Sequence, residues 1–256
     1  AQRAQGQALM CCATALSDVE IEVAAEDLPG QRVPEGEHTA RVDRIELLAP
    51  DVMLLTLVQE GGETIHFNAG QYINILLDDG QRRAFSFANA PRRSPQADDI
   101  RRPPPEGDEQ SGKATFAHVP GHIELHVRRI PGGRFTGHVF TQMKRGDLLR
   151  FEGPLGDFTL RETAKPILLV AGATGFAPVK SIVEDAFARG LARPMCLYWG
   201  VRKRKDLYAL DLAQEWQRRH ANFRFVPVLS EPDAADAWTG RTGLVHHAVM
   251  QDLPDL

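Results

Sequence analysis

Three short segments combine residue types able to hold a ligand that is flat at one end and phosphorylated at the other. In "AGATGFAP", Gly172 and Gly175 let the backbone turn sharply and come close to a bound group. The residues that follow read as a helix, whose first amides and dipole make a seat for a phosphate or diphosphate. The spacing is not G-x-G-x-x-G, and a plain tight turn would use the same glycines. Its place at the carboxyl end of a strand, where parallel sheets bind ligands, argues for the seat. In "RRAFSFANAP", Arg83 can pair a phosphate, Phe85 can stack on a flat ring, and Ser86 can exchange one hydrogen bond. Alternation along a strand puts Arg83, Phe85 and Phe87 on one side and Ser86 on the other; an edge strand with an aromatic core residue reads the same way. In "RRIPGGRFTGHVF", Gly132 and Gly133 precede a helix with Val139, Phe140 and Met143 on its apolar face. There Thr136 either caps the helix or touches a phosphate, and a glycine-rich helix start alone is the plainer reading.

Such residues need a scaffold, and the pattern supplies two. "HTARVDRIELL", "VMLLTLVQ", "QYINILL", "RRAFSFAN" and "HIELHVRRI" read as short strands separated by turn residues, as in an antiparallel barrel or sandwich. In the last, Ile123, Leu125 and Val127 alternate with Glu124, His126 and Arg128, which predicts a half-buried strand. After about residue 163 the rhythm changes to strand–helix alternation, which implies a parallel sheet with crossover helices. Val179, Ile182, Val183, Ala186 and Phe187 recur at helical spacing, with Pro178 suited to the first turn and Gly190 to the end. "PMCLYWGV" and "FRFVPVLS" read as further strands, and "DLYALDLAQEWQRRH" as a helix between them. Residues 24–38 read as a linker. Residues 92–112, with Pro95 and Pro103 to Pro105 among many charges, read as a disordered insertion.

Composition narrows the classes. The chain has 256 residues, 43% hydrophobic and 25% charged, with a formal net charge of −4. That size suits about two domains, and the charge offers nothing to a nucleic acid. No apolar run reaches the roughly 20 residues of a membrane span. The three cysteines, adjacent Cys11 and Cys12 plus Cys196 in an apolar stretch, make no disulfide framework and point to a reducing cytoplasm. His246 and His247 have no third metal ligand nearby.

The order "RAFSFAN", "GGRFT", "GPLGDF", "AGATGFAP", "YWGVRKRKDLY" resembles the ferredoxin–NADP reductase superfamily of flavoenzymes. With "GQALMCCATALSDVEIEV" before it and "GRTGLVHHAV" after it, the chain is similar to bacterial reductases that carry a [2Fe–2S] ferredoxin domain ahead of the flavin domain. The resemblance spans nearly everything outside 92–112. It implies a remnant of the ferredoxin domain at 1–23, an antiparallel β-barrel FAD domain at 39–162, and an α/β parallel-sheet NAD(P)-binding domain at 163–256. In this reading the chain is a piece cut at both ends, the second domain lacking its last strand. Cys11 falls where the fourth cluster ligand stands, so it ligates metal only in the complete parent, whose other ligands precede residue 1.

The same resemblance implies the site. Arg83 neutralises a flavin phosphate, Phe85 stacks on the isoalloxazine and Ser86 bonds near N5, where hydride arrives. The backbone of His126, Val127 and Arg128 lines the flavin, and Gly132, Gly133 and Thr136 hold the diphosphate, which favours FAD. Gly172, Thr174, Gly175 and Pro178 form the dinucleotide phosphate loop, with Gly200 and Arg202 near the ribose and adenine. NADH or NADPH would deliver hydride to FAD, and electrons would then pass singly to the cluster and a partner oxygenase or dehydratase. "RKRK" at 202–205 can grip a 2′-phosphate, but Ser230-Glu231-Pro232 lacks an arginine and leans towards NADH. A free flavin reductase and a non-catalytic flavin-binding fragment are the alternatives.

Overall fold

A computed structural model describes residues 35–62, 65–91 and 121–254. Cys11, Cys12 and the insertion at 92–112 lie outside those residues. The first half forms one antiparallel sheet in the order β4-β3-β6-β1-β2-β5. Its strands are β1 (Gly36–Ala49), β2 (Val52–Gln59), β3 (Tyr72–Leu76), β4 (Arg82–Ser86), β5 (His122–Arg128) and β6 (Leu148–Leu155). A bridge from Phe87 to Leu125 joins the two edges, so the sheet closes on itself and leaves few open backbone groups. Alternate residues fill the interior: Val42, Leu55, Leu57, Ile73, Ile75, Ile123, Leu125 and Phe151 are buried together. Phe87 joins them, stacked on Phe67 with ring centroids 3.8 Å apart. Helix α1 (Arg134–Thr141) contributes Phe135 and Val139 to the same core.

Four of the five strand readings correspond directly to β1–β4, and β1 already begins at Gly36, inside the expected linker. The fifth is corrected. β5 is not half-buried: Glu124 and His126 are 7% and 4% exposed, because the second domain packs on the face they share. β6 was not foreseen. It lies in mid-sheet between β1 and β3, yet carries exposed Leu148 and Arg150 and ends in Gly153-Pro154, a pairing that argues against a central strand. Gly153 is tolerated there, and required: φ is +152° and an added Cβ would lie 3.0 Å from Ile73 Cγ2.

The second half is a parallel sheet ordered β10-β9-β8-β7. It comprises β7 (Ile167–Gly172), β8 (Met195–Val201), β9 (Phe223–Leu229) and the two-residue β10 (Arg241–Thr242), with helices α2 (Phe176–Ala188), α3 (Leu210–Arg219) and α4 (Val245–Asp252). α2 and α3 cover one face through Phe176, Val179, Val183 and Trp216 against Leu197, Trp199 and Phe225. α4 covers the other through Ala248 and Val249 against Tyr198, Val226 and Val228. The expected helix before β9 starts only at Leu210, after a 3-10 turn at Arg204–Asp206. Among the described residues no helix is long and apolar enough to cross a membrane.

Candidate functional site

The carboxyl ends of β7, β8 and β9 open onto a cleft of about 270 Å³ whose far wall belongs to the barrel. On the sheet side it is lined by Gly172, Thr174, Gly200, Arg202 and Ser230. Asp51, Val52 and Arg128 line it from the barrel, and Tyr208 and the Gly243–Val245 turn close it. Five residues expected to bind cofactor therefore meet here: Arg128, Gly172, Thr174, Gly200 and Arg202.

The loop between β7 and α2 faces the cleft through Gly172, Ala173 and Thr174. Ala173 has φ +46°, a left-handed conformation that costs a non-glycine residue roughly 1 kcal/mol or more. Trp199 Nε1 holds it by donating to the Ala173 carbonyl at 2.9 Å. A Cβ added at Gly172 or Gly175 would meet nothing within 4 Å, so both glycines front open space. No side chain caps α2, but its first amide is not free: the Phe176 N–H donates back to the Ala173 and Thr174 carbonyls, and Pro178 has no N–H. Gly200 faces the other way: a Cβ there would stand 2.6 Å from Val245 Cβ, so this glycine lets α4 close over the sheet.

Arg128 is held by Asp51, with Nε donating to Oδ2 at 2.9 Å and both side chains 39% exposed. A carboxylate at the rim competes with any anionic ligand for that guanidinium. Asp51→Asn is expected to tighten nucleotide binding about two- to fivefold in a titration. Stability should move by no more than ~1 kcal/mol, as for other exposed ion pairs.

Of the other expected residues, Gly175 and Pro178 lie at the start of α2 and the rest in the barrel, all outside the cleft lining. Arg83 is exposed on β4, its guanidinium donating to the Arg82 carbonyl at 2.8 Å and to the Gln81 side chain. Phe85 is half-buried against Phe135, centroids 5.4 Å apart. Ser86 is half-buried, and Val127 sits in the barrel core. β5 ends the sheet order, so beyond the Phe87 bridge its backbone at His126 to Arg128 has an open edge. Gly132 has φ +73° and open space where a side chain would go. Thr136 does not cap α1, whose N-cap is Gly133. Its hydroxyl instead accepts from the Ile130 amide at 3.1 Å and fixes the glycine loop from behind. Gly133 has no room for a Cβ, which would lie 2.6 Å from that hydroxyl. Pro178 is half-buried in the first turn of α2. Lys203 and Arg204 of the basic run bind Asp233 and the Asp236 carbonyl, at 2.7 and 3.1 Å.

A charged cluster lies between the two halves. Lys180 of α2, 1% exposed, donates to the Ala88 carbonyl at 2.9 Å and pairs with Glu124 and Glu184 at 3.1 and 3.0 Å. Ser181 donates to the Asn89 carbonyl at 2.7 Å. His126 lies 3.2 Å from Glu124 through Nε2 and 3.0 Å from the Tyr208 hydroxyl through Nδ1. Burial alone would lift the Glu124 carboxyl, but the Lys180 charge and hydrogen bonds from His126 and Lys180 outweigh it, to about 2. Burial pushes His126 below its usual 6.5 and Glu184 above 4.5. Burial opposes charge on Lys180 too, but Glu184 and Glu124 win and raise it. Sequence reasoning missed the side chains of this cluster, Asp51 and Tyr208's part in the cleft wall; it weighs Ser230 for nucleotide preference and His126 through its backbone. The only available signal was a Glu, a His and an Arg at alternate positions in one strand.

These shifts fix an acid-labile interface. His126 resists protonation in the folded chain, so its contribution is full above 6.5 and fades as pH falls below it. Glu124 adds a second loss as pH falls from 4.5 towards 2, partly offset by Glu184, whose raised value acts in the opposite sense. The melting temperature should hold between pH 7 and 8 and decline below about 6.5. A melting temperature that rises from pH 7 to pH 5.5 would contradict this assignment.

Residues 169–256 match the family model of the oxidoreductase NAD-binding domain, and residues 114–160 that of the oxidoreductase FAD-binding domain. The CDP-6-deoxy-L-threo-D-glycero-4-hexulose-3-dehydrase reductase of Yersinia pestis is 38% identical over 259 residues, covering 99% of this chain and 68% of the relative. Terephthalate 1,2-dioxygenase reductase component 1 of a Comamonas species is 36% identical, covering 92% and 62%. The chain thus spans about two thirds of the length of these relatives. Its structure matches the crystal structure of an Amycolatopsis cytochrome P450 reductase with a TM-score of 0.71 at 35% identity, covering 98% of this chain and 68% of the other. A ferredoxin NADP+ reductase structure from Neisseria gonorrhoeae shares the fold alone, with a TM-score of 0.63 at 19% identity over 85% and 76% of the chains.

Proposed function

The chain belongs to the reductase-component oxidoreductases that join an FAD-binding to an NAD-binding domain, and we propose that it takes hydride from NAD(P)H onto FAD and passes electrons singly to an acceptor. One observation carries this reading: the cleft that sets Arg128 of the barrel across from the glycine loop of the parallel sheet. FAD and NAD(P)H bring the hydride chemistry when bound. The chain's own residues bind, orient and exclude water, which needs no general acid or base.

The residues present fit both groups. Gly172 and Gly175 border empty space beside the start of α2, which leaves room for a diphosphate at the loop. Thr174 and Pro178 shape that loop, while Gly200 and Arg202 would meet the ribose and adenine. In the barrel, Gly132 and Gly133 precede a second uncapped helix, held by Thr136. Arg83 would neutralise a flavin phosphate and leave its present contacts to do so. Phe85 would stack on the ring, Ser86 would bond near N5, and the open edge at His126, Val127 and Arg128 would meet the ring's rim. The proposed division is a barrel domain at 39–162, whose first strand reaches back to Gly36, and a second domain at 163–256.

Beyond the flavin, the acceptor would be a [2Fe–2S] centre with Cys11 as one thiolate, then an oxygenase or dehydratase component. Three cysteines cannot make a four-thiolate set, so further ligands must come from residues outside this sequence. NADH is favoured over NADPH, because Lys203 and Arg204 are engaged by Asp233 and Asp236 and Glu231 follows Ser230. Flavin retention tests the barrel site. The chain loaded with FAD and desalted should keep about one flavin, and Arg83→Ala should lose at least tenfold in affinity. Equal retention by both would remove Arg83 from the site, and loss of flavin from the folded wild type would favour a free flavin reductase.

A further inference from the structure

Glu124, His126 and Arg128 occupy alternate positions of β5, and each reaches the second domain or the cleft. Glu124 meets Lys180, His126 meets Tyr208, and Arg128 lines the cleft that Tyr208 also lines. The proton positions in this chain can be deduced. Glu124 is ionised and only accepts, so His126 Nε2 must donate to it. Burial keeps His126 neutral, so Nδ1 is bare and must accept from the Tyr208 hydroxyl. Burial, helped by the Glu124 charge, raises Tyr208 well above 10, so that hydroxyl keeps its proton. Tyr208 and His126 thus donate in one direction, from the cleft wall to the buried ion pair, where Lys180 meets Glu124 from the other side.

An apolar contact in this place would let the domains slide, whereas directional hydrogen bonds admit one register. Lys180 sits one turn into the helix that leaves the phosphate loop. Its ammonium grips the Ala88 carbonyl, two residues beyond Ser86 in the same chain. We propose that Lys180, Glu124, His126 and Tyr208 form an interdomain latch that sets the angle between the two cofactor seats, with His126 and Tyr208 as positioning residues for hydride transfer. This rests on the reductase reading, and it makes Tyr208 the point at which a seated nucleotide feels the latch.

Glu124→Gln, Tyr208→Phe and the double variant test it. With FAD loaded, each single variant should slow saturated anaerobic flavin reduction about tenfold, since small misplacements of reacting atoms carry large rate costs. For Glu124→Gln, which does not line the cleft, the nucleotide dissociation constant should stay within threefold. The double variant should be no slower than the slower single one, because both break one chain. Independent multiplication of the two losses, or an unchanged rate in folded Tyr208→Phe, would overturn the proposal. Amide hydrogen exchange on the chain without nucleotide gives a readout separate from turnover. Glu124→Gln should raise exchange in β5 and at the start of α2 together. An increase confined to β5 would also overturn the latch, whether or not wild-type flavin is reducible. If wild-type flavin does not bleach while exchange behaves as expected, the reductase reading fails and the latch stands as a structural device. If Glu124→Gln does not fold, Tyr208→Phe decides by the same two measurements.

Discussion

Lys180→Met is expected to cost the folded chain about 3–5 kcal/mol, the range for removing one member of a buried ion pair. The loss comes less from the ammonium's own contacts than from what it leaves behind. Glu124 is 7% exposed and held ionised by Lys180 and His126, and without Lys180 the carboxylate keeps, among the described residues, only His126 as a charge-stabilising partner. The Ala88 carbonyl loses a donor as well. Adding Glu124→Gln should restore part of the stability, since a neutral amide needs no counter-charge. Thermal or urea unfolding measures both effects. A single variant within 1 kcal/mol of wild type would mean that water reaches the cluster and that the domains are not tied there.

Gly172→Val is the functional counterpart, with a large effect on binding and little on stability. At φ −118° the residue is in ordinary extended backbone, and an added Cβ meets nothing within 4 Å. The side chain would therefore enter the cleft rather than strain the fold. Nucleotide affinity should fall at least tenfold, with melting temperature and flavin retention near wild type. Isothermal titration with NADH or NADPH measures the loss. Unchanged affinity would place the phosphates away from this loop.

How much could be seen in the sequence follows from which forces are local. The strand runs of β1 to β4 and the α2 face were legible because side-chain period is set within one element. The glycine loops were legible as glycine pairs ahead of helices, although only Gly132 needs a left-handed backbone; in the other loop that conformation falls on Ala173, and Gly172 and Gly175 serve by leaving space. β6 was hidden by Gly153-Pro154 and by exposed Leu148 and Arg150, which break the period of a strand that pairs on both sides. The burial of Glu124 and His126 was illegible for a different reason. Alternation predicts that one face of β5 is polar, and it is; only tertiary packing turns that face towards Lys180 and Tyr208. Asp51 was missed likewise, since a rim carboxylate gains meaning from Arg128, 77 residues away.

The central claim is that this cleft delivers hydride to a flavin held by the barrel. The most direct measurement is the absorption spectrum of the FAD-loaded, desalted chain, recorded anaerobically before and after NADH and then NADPH. The expected result is a retained flavin band that bleaches, faster with NADH. A flavin band that is retained and stays unbleached by either nucleotide would contradict it.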